Sequence, residues 1–373
     1  MMNHRLLPVL WLALFALAGC GGKSGPPPIY VGQVATLSGP DRLSGEQAMR
    51  GIRLAVQEQA ALTDKDQLRP IHVRHTDTRG KLDAFEGEAI RLVSVNRVVA
   101  LLGGNTPAEV IRLDRAHVPL LSPSGLRTRD MSDLVFLTGL TPSFQGMTLA
   151  RFTVNDLKAT AGMVVVVDDR REDSLALAEA FVAAAQPTSR TRMLRFGKNP
   201  PAAELAKAVA DAKPGVLLFA GSARDLPALL KALRPVPAVV LFGGEDGAAQ
   251  VLLESPETAG VYLATAFVRD LDTPRARDFV AEFAKTNNAE PDVHAALAHD
   301  SARLLFEAIR NSKTELTPDH LKKELALLKD VPGLTGPLSF KDGTLQRPAF
   351  IVRLEKGRST LVKKYLPDQD SKK

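Results

Sequence analysis

Short apolar runs alternate with helical periods along the first part of the chain. Each apolar run is bounded by Gly, Pro or Asp and has the length of a buried strand. The predicted strands are residues 29–37, 71–76, 98–103 and 118–122, and the predicted helices between them are residues 45–62, 82–95 and 107–116. Strands that alternate with helices over short links predict a parallel sheet with helices on both faces.

The same alternation begins again at Gly162, where residues 162–167 predict a fully buried strand. The elements predicted after it are strands 191–196, 216–220, 238–243 and 261–267 and helices 174–185, 202–212 and 223–233. Three helices, 275–286, 294–311 and 318–328, and three strands, 338–340, 349–354 and 360–365, complete the chain. Two similar α/β units in one chain predict two lobes.

The amino terminus predicts an export signal that ends at the chain's single cysteine. His4 and Arg5 precede an apolar run that ends at Leu17, as in a secretory signal peptide. That run is too short to span a membrane. The ending Leu17-Ala18-Gly19-Cys20 resembles the lipobox of bacterial lipoproteins, which implies cleavage before Cys20 and acylation of its thiol and its new amine. The alternative is an ordinary signal peptide with an incidental cysteine.

The composition is that of an ordinary globular protein, with 45% hydrophobic and 24% charged residues. About 350 of the 373 residues follow the signal, which favours two domains over a single core. The net charge of +6 comes from scattered Lys and Arg, so we expect no nucleic-acid partner. With Cys20 acylated, the chain has no disulfide. No catalytic motif or metal-ligand spacing is present, so we expect no enzymatic activity, no metal and no cofactor.

Five stretches, in order along the chain, carry a resemblance to a known family. They are residues 34–40 (VATLSGP), 45–56 (GEQAMRGIRLAV), 101–104 with 118–124 (LLGG and VPLLSPS), 295–305 (AALAHDSARLL) and 334–340 with 342–343 (LTGPLSF and DG). They resemble the first strand and turn, the first helix, a central segment, a late helix and the terminal hairpin of type I periplasmic binding proteins. The resemblance is to the leucine/isoleucine/valine-binding family that feeds ABC importers, and it covers essentially the whole chain after the signal.

The resemblance implies an α/β fold of two Rossmann-like lobes joined by a three-strand hinge, which close on a ligand by hinge motion. The chain would cross between the lobes near residues 138–142, 265–269 and 332–337, and the C-terminal hairpin would return to the second lobe. The predicted divisions are 1–19 signal peptide, 20–28 tether, 29–140 and 268–334 N-terminal lobe, 141–267 and 335–366 C-terminal lobe, and 367–373 disordered tail.

The predicted ligand site lies where strands of both lobes end, because ligands of open α/β sheets bind outside the carboxyl ends of the strands. In the first lobe, Asn105 and Thr106 begin a helix whose capping box and free N–H groups favour a carboxylate. Ser124 and Gly125 offer hydroxyl and backbone donors after the next strand. In each case the alternative is a plain cap or turn residue.

In the second lobe, the resemblance aligns Asp246 with the acid by which the family holds a ligand's ammonium group, and Ser222 stands where the family has a tyrosine. The family's other aromatic positions are also missing. Asp173 replaces a second tyrosine, and Leu43-Ser44 replaces the aromatic residue after the first turn. We therefore do not expect the cleft to bind a branched-chain amino acid. We expect it to bind a polar ligand or no ligand.

Two functions follow from these features. The first is a membrane-anchored lipoprotein of the periplasm and cell envelope that binds a small polar, amino-acid-like solute and delivers it to an ABC permease in the inner membrane. The second is an outer-membrane lipoprotein with a degenerate cleft that acts as regulator or scaffold of a cell-envelope enzyme. The missing aromatic residues favour the second function, and the retained Thr106 and Asp246 favour the first.

Replacing Cys20 tests the anchor. Each buried methylene of an acyl chain contributes about 0.8 kcal/mol to membrane binding, so several chains hold a protein firmly. We expect Cys20→Ala to leave a periplasmic protein that no longer separates with the membranes on cell fractionation. Retention of the alanine variant in the membrane fraction would contradict acylation of Cys20.

Overall fold

The computed structural model describes residues 27–66, 69–159, 162–186, 189–197, 201–233, 235–244, 248–312, 315–355 and 357–367. Two residues of the sequence-based predictions, Cys20 and Asp246, lie outside these ranges, as does the predicted signal peptide. Within the described ranges, no helix is both long enough and apolar enough to cross a membrane.

The first lobe begins with β1 (Ile29–Ala35), α1 (Arg42–Asp66), β2 (Ile71–Asp77), α2 (Leu82–Ser94), β3 (Leu101–Gly103), α3 (Pro107–Asp114), β4 (Leu120–Ser122) and β5 (Val135–Leu137). The late elements α9 (Pro274–Asn287), α10 (Val293–Asn311), α11 (Pro318–Leu327), β11 (Val331–Pro332), β12 (Pro337–Lys341) and β13 (Thr344–Gln346) follow the second crossing. The sheet order is β11-β12-β13-β5-β4-β3-β1-β2. Helix α10 packs against α1 on one face of this sheet.

The second lobe contains α4 (Pro142–Arg151), continued by a π-helical turn (Phe152–Asp156), then β6 (Met163–Asp168), α5 (Glu172–Ala185), β7 (Thr191–Phe196), α6 (Ala202–Ala212), β8 (Val216–Ala220) and α7 (Leu226–Ala232). It continues with β9 (Val239–Gly243), α8 (Ala248–Leu253), a 3₁₀ turn (Pro256–Thr258), β10 (Tyr262–Thr265), β14 (Ala349–Glu355) and β15 (Arg358–Tyr365). Its sheet order is β15-β14-β10-β9-β8-β6-β7.

The two-lobe α/β fold predicted from the alternating pattern is confirmed. Every residue of β6 is buried, because helices cover both faces of a parallel sheet and a run of valines suits a strand without a solvent face. The bounds of β7, α6 and β8 coincide with the predicted ones. The pattern did not predict β5 or α4. Strand β5 has only three residues, and α4 is marked mainly by Thr141, which caps it, and by Pro142 at its start.

The third crossing between the lobes lies later in the chain than predicted. Strand β13 pairs with β5 in the first sheet, through Thr344 and Leu137, and β14 pairs with β10 in the second sheet. The crossing therefore lies at residues 347–348, and the prediction of residues 332–337 is wrong. The hairpin of β12 and β13 belongs to the first lobe, because its residues Leu338 and Leu345 are buried in that lobe's core.

A buried ion pair lies where the crossings meet. The guanidinium of Arg347 donates to the Asp300 carboxylate at 2.7 Å and to the carbonyl oxygen of Thr138 at 3.1 Å. The side chains of Arg347 and Asp300 are 2% and 1% exposed. Asp300 also accepts the backbone N–H of Leu334 at 3.1 Å, and the Leu334 carbonyl accepts the hydroxyl of Thr273 at 2.9 Å. This hinge cluster links the first crossing to the third and reaches the start of α9 after the second.

Breaking the pair should destabilise the whole protein. Asp300→Asn leaves the Arg347 guanidinium buried without its carboxylate, and removal of one partner of a buried pair costs about 3–5 kcal/mol. We expect a loss of that size in the free energy of unfolding, measured by urea denaturation.

A double variant and a control variant show whether this loss comes from the unpaired charge. The double variant Asp300→Asn with Arg347→Met should lose less than the sum of the two single variants, because no unpaired charge remains. Asp319→Asn changes the same chemical group on a side chain that is 84% exposed, and it should change stability by about 0.5 kcal/mol or less. Equal losses for the buried and the exposed carboxylate would contradict the role given to Asp300.

Candidate solute-binding cleft

The carboxyl ends of the two sheets face each other across a cleft. Asp41 follows β1 of the first lobe, and Arg224 follows β8 of the second. Their side chains meet at 2.6 Å and remain 63% and 70% exposed. An exposed ion pair contributes only about 0–1 kcal/mol, so this contact marks the mouth of the cleft without locking it.

The amino terminus of α3 already holds a carboxylate of the chain itself. Glu109 accepts the backbone N–H groups of Asn105 at 2.7 Å and Thr106 at 3.2 Å, while the Thr106 hydroxyl accepts the N–H of Glu109 at 3.3 Å. This is the predicted capping box. The backbone N–H groups of Asn105 and Thr106, which the sequence predicts as donors to a ligand's carboxylate, therefore already donate to Glu109.

Burial raises the pKa of the Glu109 carboxyl above its usual value of 4.5, although the two backbone hydrogen bonds partly oppose the shift. Desolvation disfavours the charged form, and hydrogen bonds to the carboxylate favour it. The first-lobe wall of the cleft therefore carries a half-buried acid whose ionisation is resisted by its surroundings.

The predicted residues after β4 are packed against the first crossing. Ser124 is buried at 4% exposure, and its backbone N–H donates to the hydroxyl of Ser122 at 3.1 Å. A Cβ atom added to Gly125 would lie 1.8 Å from the carbonyl oxygen of Leu140. Only glycine allows so close an approach of two backbones, so Gly125 positions this loop against the hinge.

The wall of the cleft formed by the second lobe carries charged and polar side chains, and these include Asp173 and Ser222 at positions where the family resemblance implies tyrosines. The Asp168 carboxylate is buried and accepts the guanidinium of Arg170 at 2.9 and 2.8 Å. Burial raises the pKa of Asp168, but the bonds from Arg170 outweigh burial, and the pKa lies below its usual value. Asp173 is paired with Arg171 at 2.7 Å. Ser222, on the same side of the lobe, accepts the N–H of Arg224 at 3.4 Å.

A small cavity lies at the carboxyl ends of β1 and β3 in the first lobe. Its volume is about 40 Å³, room for on the order of two or three water molecules. Gln33, Glu109, His294 and Ser301 supply polar groups to its lining. Gln33 is almost fully buried, and its amide oxygen lies 2.5 Å from Nδ1 of His75. Nothing in the sequence singles out Gln33, since an isolated polar residue in a strand shows its burial only once the helices are packed.

A family profile described as periplasmic binding protein matches residues 28–359 of the chain. The chain belongs to the periplasmic binding protein family. No match was found among curated proteins.

Solved structures of other binding proteins share this fold. A leucine binding protein from Thermotoga maritima is 17% identical, with 91% of this chain and 99% of that chain covered and a TM-score of 0.78. A branched-chain amino acid transporter substrate-binding protein from Streptococcus pneumoniae, solved with isoleucine, is 21% identical, with 91% and 100% covered and a TM-score of 0.75. A solute-binding protein from Rhodopseudomonas palustris, solved with 4-hydroxybenzoate, is 17% identical, with 92% and 98% covered and a TM-score of 0.78.

In this periplasmic binding protein, the described residues of the predicted site lie at strand ends of the two lobes. Asn105, Thr106, Ser124 and Gly125 lie in the first lobe, and Ser222 lies in the second. Their contact with a ligand stays a prediction, as does that of Asp246. The sequence did not single out Asp41, Arg224 or the buried Asp168 as cleft residues, because their partners become visible only in the folded chain.

Glu109 can be tested through the pH dependence of stability. Since its pKa is raised in the folded protein above the usual value of 4.5, ionisation costs folding free energy as pH rises above that value. Glu109→Gln keeps an acceptor for both N–H groups, so at pH 7 it should be at least as stable as the wild type. The difference should vanish below pH 4 in denaturation curves recorded across pH.

Glu109→Ala provides the second comparison. It removes the acceptor and should cost about 1 kcal/mol, as the loss of a helix cap does. A glutamine variant that is less stable at pH 7 than at pH 4, relative to the wild type, would contradict the sign derived for Glu109.

Proposed function

We propose that this protein is a lipid-anchored, extracytoplasmic solute-binding protein of an ABC importer. It binds a small polar, amino-acid-like solute in the cleft between its lobes, without catalysis. The observation that carries this proposal is that two sheets, joined by crossings that meet at one hinge cluster, bring their carboxyl-end loops together at Asp41 and Arg224. Such an arrangement allows closure around a solute. Membership of the periplasmic binding protein family supports the proposal.

The polar walls of the cleft support a polar solute. The hydroxyl of Thr106 accepts a hydrogen bond from Glu109, which leaves its own proton to donate to a ligand. On the opposite wall, Arg170 and Arg224 are exposed cations, and each is paired with a carboxylate, that of Asp168 or Asp41. A zwitterion has both a carboxylate and an ammonium group, so it matches a cleft with cationic and anionic groups.

The solved relatives support a solute with a carboxylate. Isoleucine and 4-hydroxybenzoate, present in two of them, both carry this group. Because Glu109 engages two donors at α3, we infer that the ligand's carboxylate is met by the Thr106 hydroxyl instead of by the backbone N–H groups of residues 105 and 106.

A ligand screen tests the function directly. Native mass spectrometry of the purified protein should show a retained solute, and calorimetric titration with common amino acids should identify one that binds. Failure of every amino acid to bind the unmutated protein would overturn the zwitterion proposal.

Asp246→Ala tests the second-lobe site. If Asp246 holds the ligand's ammonium group, its removal leaves a buried charge unpaired, which costs about 2–5 kcal/mol in binding. We expect the Kd from calorimetry to rise by well over tenfold, with the fold retained because the sequence Gly244-Glu245-Asp246-Gly247 predicts a turn.

Glu245→Ala is the matched control, because two adjacent residues of one turn should not both face the cleft. It should bind the solute like the wild type. Unchanged affinity of the Asp246 variant would show that the ammonium site was assigned to the wrong residue, even if transport stands.

The second function, a degenerate cleft in an outer-membrane lipoprotein that regulates or supports a cell-envelope enzyme, is favoured by one observation. The α3 donors that would suit a ligand are satisfied within the chain by Glu109. The two functions differ in the ligand screen: the importer component binds a solute, whereas the scaffold binds none.

A further inference from the structure

Three exposed arginines surround the place where the chain enters the first lobe. Arg69, Arg74 and Arg97 line a shallow groove together with Pro27 and Tyr30. The groove lies at the amino ends of β1, β2 and β3, which run parallel in one sheet. The cleft lies at the carboxyl ends of the same strands, so the groove occupies the opposite pole of the lobe.

These arginines are not neutralised within the part of the chain that the structure describes. The Nε of Arg69 donates to the carbonyl oxygen of Pro27 at 2.9 Å, and the guanidinium of Arg74 lies 4.9 Å from the centre of the Tyr30 ring. Among the described residues that line the groove, Glu315 is the one carboxylate, and no ion pair joins it to any of the three arginines. The groove therefore presents an excess of positive charge.

An apolar side chain lies among these charges. Val95, in the loop between α2 and β3, lines the same groove and is 70% exposed. Basic residues beside an exposed apolar side chain are typical of surfaces that meet lipid headgroups, where the charges attract anionic lipid and the apolar group enters the interface.

The length of the tether brings this pole close to the membrane. Seven residue steps separate Cys20 from Pro27, and a fully extended chain of that length spans at most about 25 Å. If lipid fixes Cys20 at the bilayer, as in the proposed function, the groove at Pro27 cannot move far from the surface. The negative potential of anionic lipid then acts on the arginines whenever they come within about 8 Å, the physiological Debye length.

We propose that this arginine-lined pole docks on anionic phospholipid headgroups and fixes the orientation of the protein on its membrane while the protein is not engaged with its permease. The inference rests on the lipid anchor of the proposed function, and it adds an oriented contact to what a flexible tether alone would give.

The experiment uses the full lipidated protein in vesicles of phosphatidylcholine with or without phosphatidylglycerol. Since Cys20 is the chain's single cysteine and is acylated in this form, Val95→Cys creates one site for an environment-sensitive fluorophore. Val236→Cys, on the second lobe and 42% exposed, is the matched position. With a quencher attached to lipid headgroups, we expect strong quenching at position 95 in anionic vesicles and little at position 236.

A pair of arginine variants tests the charges. A basic residue near an anionic surface strengthens its attraction about fivefold, so Arg74→Gln with Arg97→Gln should reduce quenching at position 95 to its level in pure phosphatidylcholine. The control is the double variant Arg190→Gln with Arg192→Gln. These two arginines are exposed at the edge strand of the second sheet, and their replacement should leave the quenching at position 95 unchanged.

Three outcomes overturn the proposal: equal quenching at positions 95 and 236, quenching that does not depend on phosphatidylglycerol, or lack of flotation of the protein with vesicles, which would remove the anchor. Solute binding is read separately by calorimetry. A protein that binds no solute but is quenched at position 95 in anionic vesicles refutes the transport function and leaves the docking surface intact.

Discussion

The geometry of this protein depends on the buried pair of Asp300 and Arg347. The two charges lie where crossings between the lobes meet, and each has further hydrogen bonds that compensate for its loss of water. Separating such charges inside a protein costs several kcal/mol. A motion of the lobes that broke this cluster would leave charges buried without partners, so the closure proposed for this protein would have to keep the cluster intact.

The direction of the strands determines where the cleft lies. Parallel strands place all their carboxyl ends at one edge of a sheet, and the hinge turns those edges of both lobes towards each other. Asp41 and Arg224 meet there from opposite lobes. The same strand direction places the basic groove at Pro27, Arg74 and Arg97 at the far pole of the first lobe. The proposed solute site and the proposed membrane-facing surface therefore use different residues of one lobe.

At Glu109 the predicted capping box is correct, but the function predicted for the helix amino terminus changes. The capping box at Thr106 forms as the sequence indicates, and it uses N–H groups that could otherwise hold an anion. A helix amino terminus has only a few free donors. Once the chain supplies its own carboxylate, the ligand of the proposed function would have to use side-chain hydroxyls and arginines of the opposite lobe. This favours polar recognition over the apolar pocket that a branched side chain would need.

The sequence alone determined the alternation of strands and helices, the division into two lobes and the family, because buried strands and amphipathic helices leave periodic patterns in short windows. The four consecutive valines of β6 and the capping residues of α3 are local signals of this kind. Short elements without such signals, such as the three residues of β5, were missed. The third crossing was misplaced because the pairing of Thr344 with Leu137 joins residues far apart in the chain.

Only the tertiary structure decided which polar residues act together. Asp300 and Arg347 are 47 positions apart, and Asp41 and Arg224 are 183 apart. No local pattern links such partners, since the charge of each residue is equally consistent with a solvated surface. Folding buries the first pair at the hinge and leaves the second exposed at the cleft mouth. Burial decides how much each pair matters, because the surrounding medium sets the strength of a charge interaction and the cost of leaving a charge unpaired.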